Sequence, residues 1–98
     1  MDDRNRARII KQTRRAILDA LKQVYDLPLT FESLCEVLLY LNVADEDVAK
    51  DVAYLIDKGY VRWVNQAERS PWKRRLYTLT AAGVETADTI NRDPALEP

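Results

Sequence analysis

The sequence predicts a mainly α domain with one small β-hairpin, and three observations predict it. A helical apolar pattern in DVAYLIDKGYVRWV, Asp51 to Val64, stops at Gly59 and turns at once into an aromatic, β-branched run. A shorter helical pattern, Phe31 to Leu41, precedes it after a tight break, and a second strand-like run, Arg75 to Leu79, follows a basic loop, Ala67 to Arg75. The expected elements are helices over 3–25, 31–41, 45–58 and 81–91 and strands over 60–65 and 75–79.

In the first helix Ile10, Ile17, Leu21 and Val24 recur at helical spacing beside Ala16 and Ala20, with Asp2 or Asp3 placed to cap its start. Pro28 disfavours helix in the residue before it, so Asp26 to Leu29 form a break, and Leu29 can make a very short strand. Thr30 is an N-cap for the second helix, where Phe31, Leu34, Leu38 and Leu41 share a side and Val37, Leu39 and Tyr40 are expected to widen the buried stripe. Asn42-Val43-Ala44 is a short connection.

Asp45 is the expected N-cap of the third helix, with Glu46 and Asp47 in its first turn, where the helix dipole favours carboxylates. Val48, Val52, Leu55 and Ile56 form its inward face, and Gly59 occupies the place of a left-handed C-cap residue. Tyr60 to Val64 and Arg75 to Leu79 pair as an antiparallel hairpin with Pro71 in the middle of its loop. Thr80 caps a last helix, in which Ala82 and Gly83 permit close approach and Gly83, Val84, Ala87 and Ile90 pack. Residues 1–92 thus read as one domain and residues 93–98 as a frayed tail.

Composition narrows the function. The 98 residues contain no histidine and a single cysteine, so the commonest general base is absent and no disulfide can close within one chain. Cys35, inside LCEVLLYL, reads as a small core hydrophobe. There are two glycines and no glycine-rich phosphate loop, so neither an enzyme nor a cofactor or metal site is expected. No apolar run reaches the ~18 residues that suggest a membrane span, and the charged N-terminus lacks a secretory h-region, so a cytoplasmic protein with no membrane partner is expected.

The net charge of −1 conceals blocks of opposite sign. Residues 1–25 carry seven basic and three acidic groups, and residues 26–58 carry two basic and eight acidic. Residues 59–80 carry five basic and one acidic, and residues 81–98 one basic and four acidic. Arg4, Arg8, Lys11 and Arg15 step along one side of the first helix, either as a solvated face or as a strip that meets phosphate.

Helix, turn, helix, strand, loop, strand is the order of a winged helix-turn-helix. On AILDAL, VAYLIDKGYV and RLYTLTAAG, over about residues 8–91, the chain resembles the winged helix-turn-helix transcriptional regulators of the MarR, PadR and ArsR kind, and is similar in size and phrasing to small winged-helix proteins of Mu-like bacteriophages. The resemblance implies a double-stranded DNA-binding regulator, dimeric through its first and last helices. It places Asp47, Lys50, Asp51 and Tyr54 of the third helix in the major groove and Arg69, Lys73, Arg74 and Arg75 of the wing on the backbone or minor groove, with Trp72 at the wing tip either wedged into the duplex or packed on the sheet. The Arg4, Arg8, Lys11 and Arg15 strip would add phosphate contacts.

One departure weakens that implication. Over residues 45–58 the recognition helix carries five acids against two lysines, and unpaired carboxylates beside phosphates oppose binding. Taken singly, the acids read as helix caps and solvated groups, Asp51 among them. A second function therefore stays open: a winged-helix protein-interaction or assembly module without tight DNA binding, with the acidic second and third helices docked on a basic partner and the basic wing on an acidic one.

Overall fold

The computed structural model describes residues 3–64 and 75–89, comprising α1 (Asp3–Gln23), β1 (Leu29–Thr30), α2 (Phe31–Val37), a 3₁₀ turn (Leu39–Leu41), α3 (Asp45–Asp57), β2 (Val61–Val64), β3 (Leu76–Leu79) and α4 (Ala81–Asp88). The expected wing tip, the end of the last helix beyond residue 89, the tail and Asp2 lie outside the described residues, and Asp3, the other cap expected for the first helix, is instead its first residue.

The centre of α1 runs through the core. Ile17, Leu18 and Leu21 are fully buried, Ala16 and Ala20 permit close neighbours, and buried Thr13 donates its hydroxyl to the Ile9 carbonyl at 2.9 Å. The helix ends two residues before the expected Tyr25. Backbone bonds from Tyr25 to Lys22 and from Leu27 to Val24 tighten the chain into the turn that Pro28 completes.

Leu29 does form the short strand anticipated for it, and this makes a three-stranded sheet of the expected hairpin. β3 is central, pairing antiparallel with β1 on one side and β2 on the other, in the order β1-β3-β2. Val61 lies opposite Leu79 and Trp63 opposite Tyr77, so these four share one face. Phe31 meets Tyr77 edge-on, with 6.5 Å between ring centroids.

The second helix departs most from expectation. After Val37 it tightens into the 3₁₀ turn, which closes on Asn42 in a left-handed conformation (φ 55°) that asparagine tolerates. Leu34 and Leu38 hold the core, but Leu39 and Tyr40 are each 74% exposed and Val37 is half exposed. At about 100° per residue Val37, Leu39 and Tyr40 fall off the side shared by Phe31, Leu34 and Leu38, so a continuous helix to Leu41 would not have buried them either. Cys35 is half-buried and packs against the core as a small hydrophobe.

α3 begins with Asp45 as its first residue, so the capping position belongs to Ala44, whose side chain cannot cap. The Ala44 carbonyl instead takes the Val48 amide at 3.1 Å, and Asp45, Glu46 and Asp47 act through the helix dipole alone. Val48, Val52 and Leu55 are buried as expected, whereas Ile56 is left at the exposed margin.

The junction after α3 follows its sequence signature. Gly59 has φ +83°, its amide bonds Ile56 at 2.9 Å, and the Tyr60 amide bonds Leu55 at 2.9 Å, a Schellman closure. Tyr60 belongs to that closure, so β2 starts one residue later than expected. Its carbonyl accepts the Thr80 amide at 3.0 Å, and the Thr80 hydroxyl accepts from Gly83 at 3.0 Å, capping α4. A β-carbon on Gly83 would lie 1.9 Å from the Tyr60 carbonyl oxygen, so α4 sits against the strand entry only because position 83 has no side chain. Lys22 of α1 and Asp88 of α4 form an ion pair.

Candidate nucleic-acid interface

The surface at issue is the face of α3 that the core does not take. With about 100° of rotation per residue, buried Val48, Asp51, Val52 and Leu55 define the inward side of α3, and Glu46, Lys50, Ala53 and Asp57 lie opposite them and are exposed. Of the four expected groove positions, Lys50 is central on that face and Asp47 is on its margin, exposed.

Asp51 is not on it. Only 6% exposed, Asp51 accepts a charge-assisted hydrogen bond from Arg14 Nε of α1 at 3.1 Å. The Arg14 guanidinium also stacks on Tyr54, 3.5 Å from the ring centroid, and the Lys58 ammonium stands 5.7 Å from the same ring. Tyr54 is therefore half-buried under α1 and forms part of the α1–α3 joint. The reading of Asp51 as merely solvated is corrected. Val48, Asp51, Val52 and Leu55 follow the i, i+3, i+4, i+7 spacing of a buried stripe, so the signal was present in the sequence.

Burial raises the Asp51 carboxyl above its ordinary range, against the lowering influence of the Arg14 hydrogen bond and charge, with a smaller raising contribution from Asp47. Desolvation wins because a single bond from Arg14 does not replace the water a carboxylate gives up.

The basic strip on α1 points elsewhere. Arg4 and Arg8 are exposed and Lys11 and Arg15 half-buried. They share the side of α1 carrying Lys22, which pairs with α4. Arg6, Ile10 and Thr13, on the other side of α1, line the cleft toward α3. That cleft, about 670 Å³, also takes in Leu41, Val43, Asp47 and Lys50.

Of the wing residues, Arg75 alone is described. It lies at the root of the wing with its guanidinium 4.6 Å from the Trp63 ring centroid and its Nε buried. Trp63 (43% exposed) on β2 stacks with it, and exposed Arg62 lies on the other face of that strand; neither was singled out in the sequence, although their alternation in a short strand marks opposite faces. Arg69, Trp72, Lys73 and Arg74 lie outside the described residues. Among the described residues no group of side chains could hold a metal ion, and no helix is long and apolar enough to cross a membrane.

Comparison with known proteins identifies the architecture. No family model and no curated protein matches the sequence. Among solved structures the chain is similar to NMB1585, a MarR family regulator from Neisseria meningitidis, with a TM-score of 0.62 and 18% identity over 82% of this chain and 51% of that one. The fold is thus a winged helix, and the chain spans about half the length of that regulator.

Proposed function

We propose that the protein is a double-stranded DNA-binding transcriptional regulator acting as a dimer. The observation that carries the reading is the uncovered outer face of α3, from which Arg14 withdraws one carboxylate by pairing it inside the fold. A helix of ~10–12 Å diameter fits a major groove about 12 Å wide, and Lys50 stands at the centre of the face presented to it. The similar solved structure is that of a regulator.

The remaining acids set the kind of binding. Glu46 and Asp57 repel phosphate, yet a carboxylate can accept from the cytosine amino group, so α3 acts as a base reader of low intrinsic affinity. Phosphate neutralisation falls to the wing cations Arg69, Lys73, Arg74 and Arg75, with Trp72 among them. The Arg4, Arg8, Lys11 and Arg15 strip faces away from α3 and takes no part at the same duplex. The dimer is assigned to α1 and α4.

Fluorescence anisotropy with mixed-sequence duplex DNA, at low and near-physiological salt, tests the reading. Binding that weakens steeply with salt is the expected result. Absence of binding at low salt would sink it. Light scattering on the free chain tests the dimer separately.

A further inference from the structure

We propose that the C-terminal end of α2, with the 3₁₀ turn after it, is a docking surface for a basic, amphipathic segment of another protein. Leu39 and Tyr40 are 74% exposed and Val37 50%, three large apolar side chains within four residues. Such groups gathered on a surface mark contact sites, whereas single exposed ones need no explanation.

The chain on either side of these residues is acidic. Glu32, Glu36 and Tyr40 follow one another at four-residue intervals, and the first two are exposed helical neighbours on the same row. After the turn at Asn42, α3 opens with exposed Asp45, Glu46 and Asp47. From Lys22 to Lys50 the chain carries no basic residue between the two lysines. An apolar centre with carboxylates around it selects a partner segment in which lysine or arginine flanks large apolar side chains, read at helical spacing.

The same chemistry excludes other occupants. A duplex would meet carboxylates and bare hydrocarbon. The basic row on α1 of a second copy, Arg4, Arg8, Lys11 and Arg15, contains no large apolar side chain with which to cover Leu39 and Tyr40, and whether its Trp63 side does so is read by the self-association arm of the test. Leu39 and Tyr40 lie off the outer face of α3, although Glu46 is on that face, so the docking surface is tested with peptides and not with DNA.

The test uses the full chain and three labelled peptides: an amphipathic lysine–leucine helix, a glutamate–leucine helix of equal apolar content, and a lysine–serine peptide of equal charge. The lysine–leucine helix should bind at near-physiological salt, with the other two weaker by about tenfold or more. The double variant L39S/Y40S should lose about tenfold in affinity. E32Q/E36Q should bind more weakly and with a shallower salt dependence. All four positions are exposed, so circular dichroism should be unchanged in both variants. Failure of the wild-type chain to bind the lysine–leucine helix overturns the proposal, as does equal binding by L39S/Y40S or by the lysine–serine peptide. Self-association that disappears in L39S/Y40S would also overturn it, because a second copy would then be the occupant.

Discussion

Arg14 meets two groups of α3 at once, bonding Asp51 at 3.1 Å and covering the Tyr54 ring at 3.5 Å. Removing it strands a buried carboxylate. Arg14→Ala should therefore cost about 2–3 kcal/mol in urea unfolding, below the range for a fully buried pair because Arg14 is partly exposed. Loss of less than about 0.5 kcal/mol, the range of an ordinary surface change, would show that the pair does not hold α1 to α3. The acid side of the pair gives a pH prediction. The folded-state value of Asp51 lies above the ordinary 3.8, so the folded protein holds the proton more tightly than the unfolded chain. The stability Asp51 contributes is full below about 3.8 and is lost as pH rises through the raised value. Wild-type stability relative to Asp51→Asn should fall with rising pH across that window. In an Arg14→Ala background, where the lowering influence is gone, the fall should extend to higher pH. A difference independent of pH would contradict the burial of Asp51.

At the scale of the element, the two glycines separate conformational freedom from space. Gly59 has φ +83°, and a methyl added there would find nothing within 4 Å, so Gly59→Ala meets only the left-handed backbone and should cost about 1–2 kcal/mol. At Gly83 a methyl would collide with the Tyr60 carbonyl at 1.9 Å, and α4 would have to leave the strand entry. Gly83→Ala should cost about 3 kcal/mol or more and weaken the α4 cap at Thr80 with it. Thermal unfolding of the two variants side by side decides the order; a smaller loss at Gly83 would mean α4 is not seated as described. Both glycines were legible as a C-cap and a close approach, but the identity of the neighbour at Gly83, a backbone carbonyl rather than a yielding side chain, came from the fold.

For the whole molecule, the distribution of charge matters more than its sum. The acidic block holds α2 and α3, while the two basic blocks go to α1 and to the hairpin. If the wing carries the phosphate contacts, replacing Arg69, Lys73 and Arg74 with alanine should flatten the salt slope of duplex binding by about two to three units. Replacing Arg4 and Arg8 should leave that slope unchanged, because their side of α1 faces away from α3. Equal effects from both sets would place the strip on the duplex after all.

What the sequence determined by itself is the order of elements and their punctuation. Apolar period, the caps Thr30 and Thr80, the left-handed Gly59 and the break at Pro28 are local properties, expressed within a few residues, and the structure carries each of them. The joining of Leu29 to β3 was legible as a strand but not as a third member of the sheet, since its partner Tyr77 lies about half the chain away. Tertiary packing alone decided the chemistry of the exposed surfaces. Asp51 became a buried partner because Arg14 lies thirty-seven residues away in sequence and beside it in space, and Leu39 and Tyr40 are surface because no described element packs over their side of the chain. Which side of a helix meets water depends on what packs against it, and that is settled by distant residues that no local pattern records.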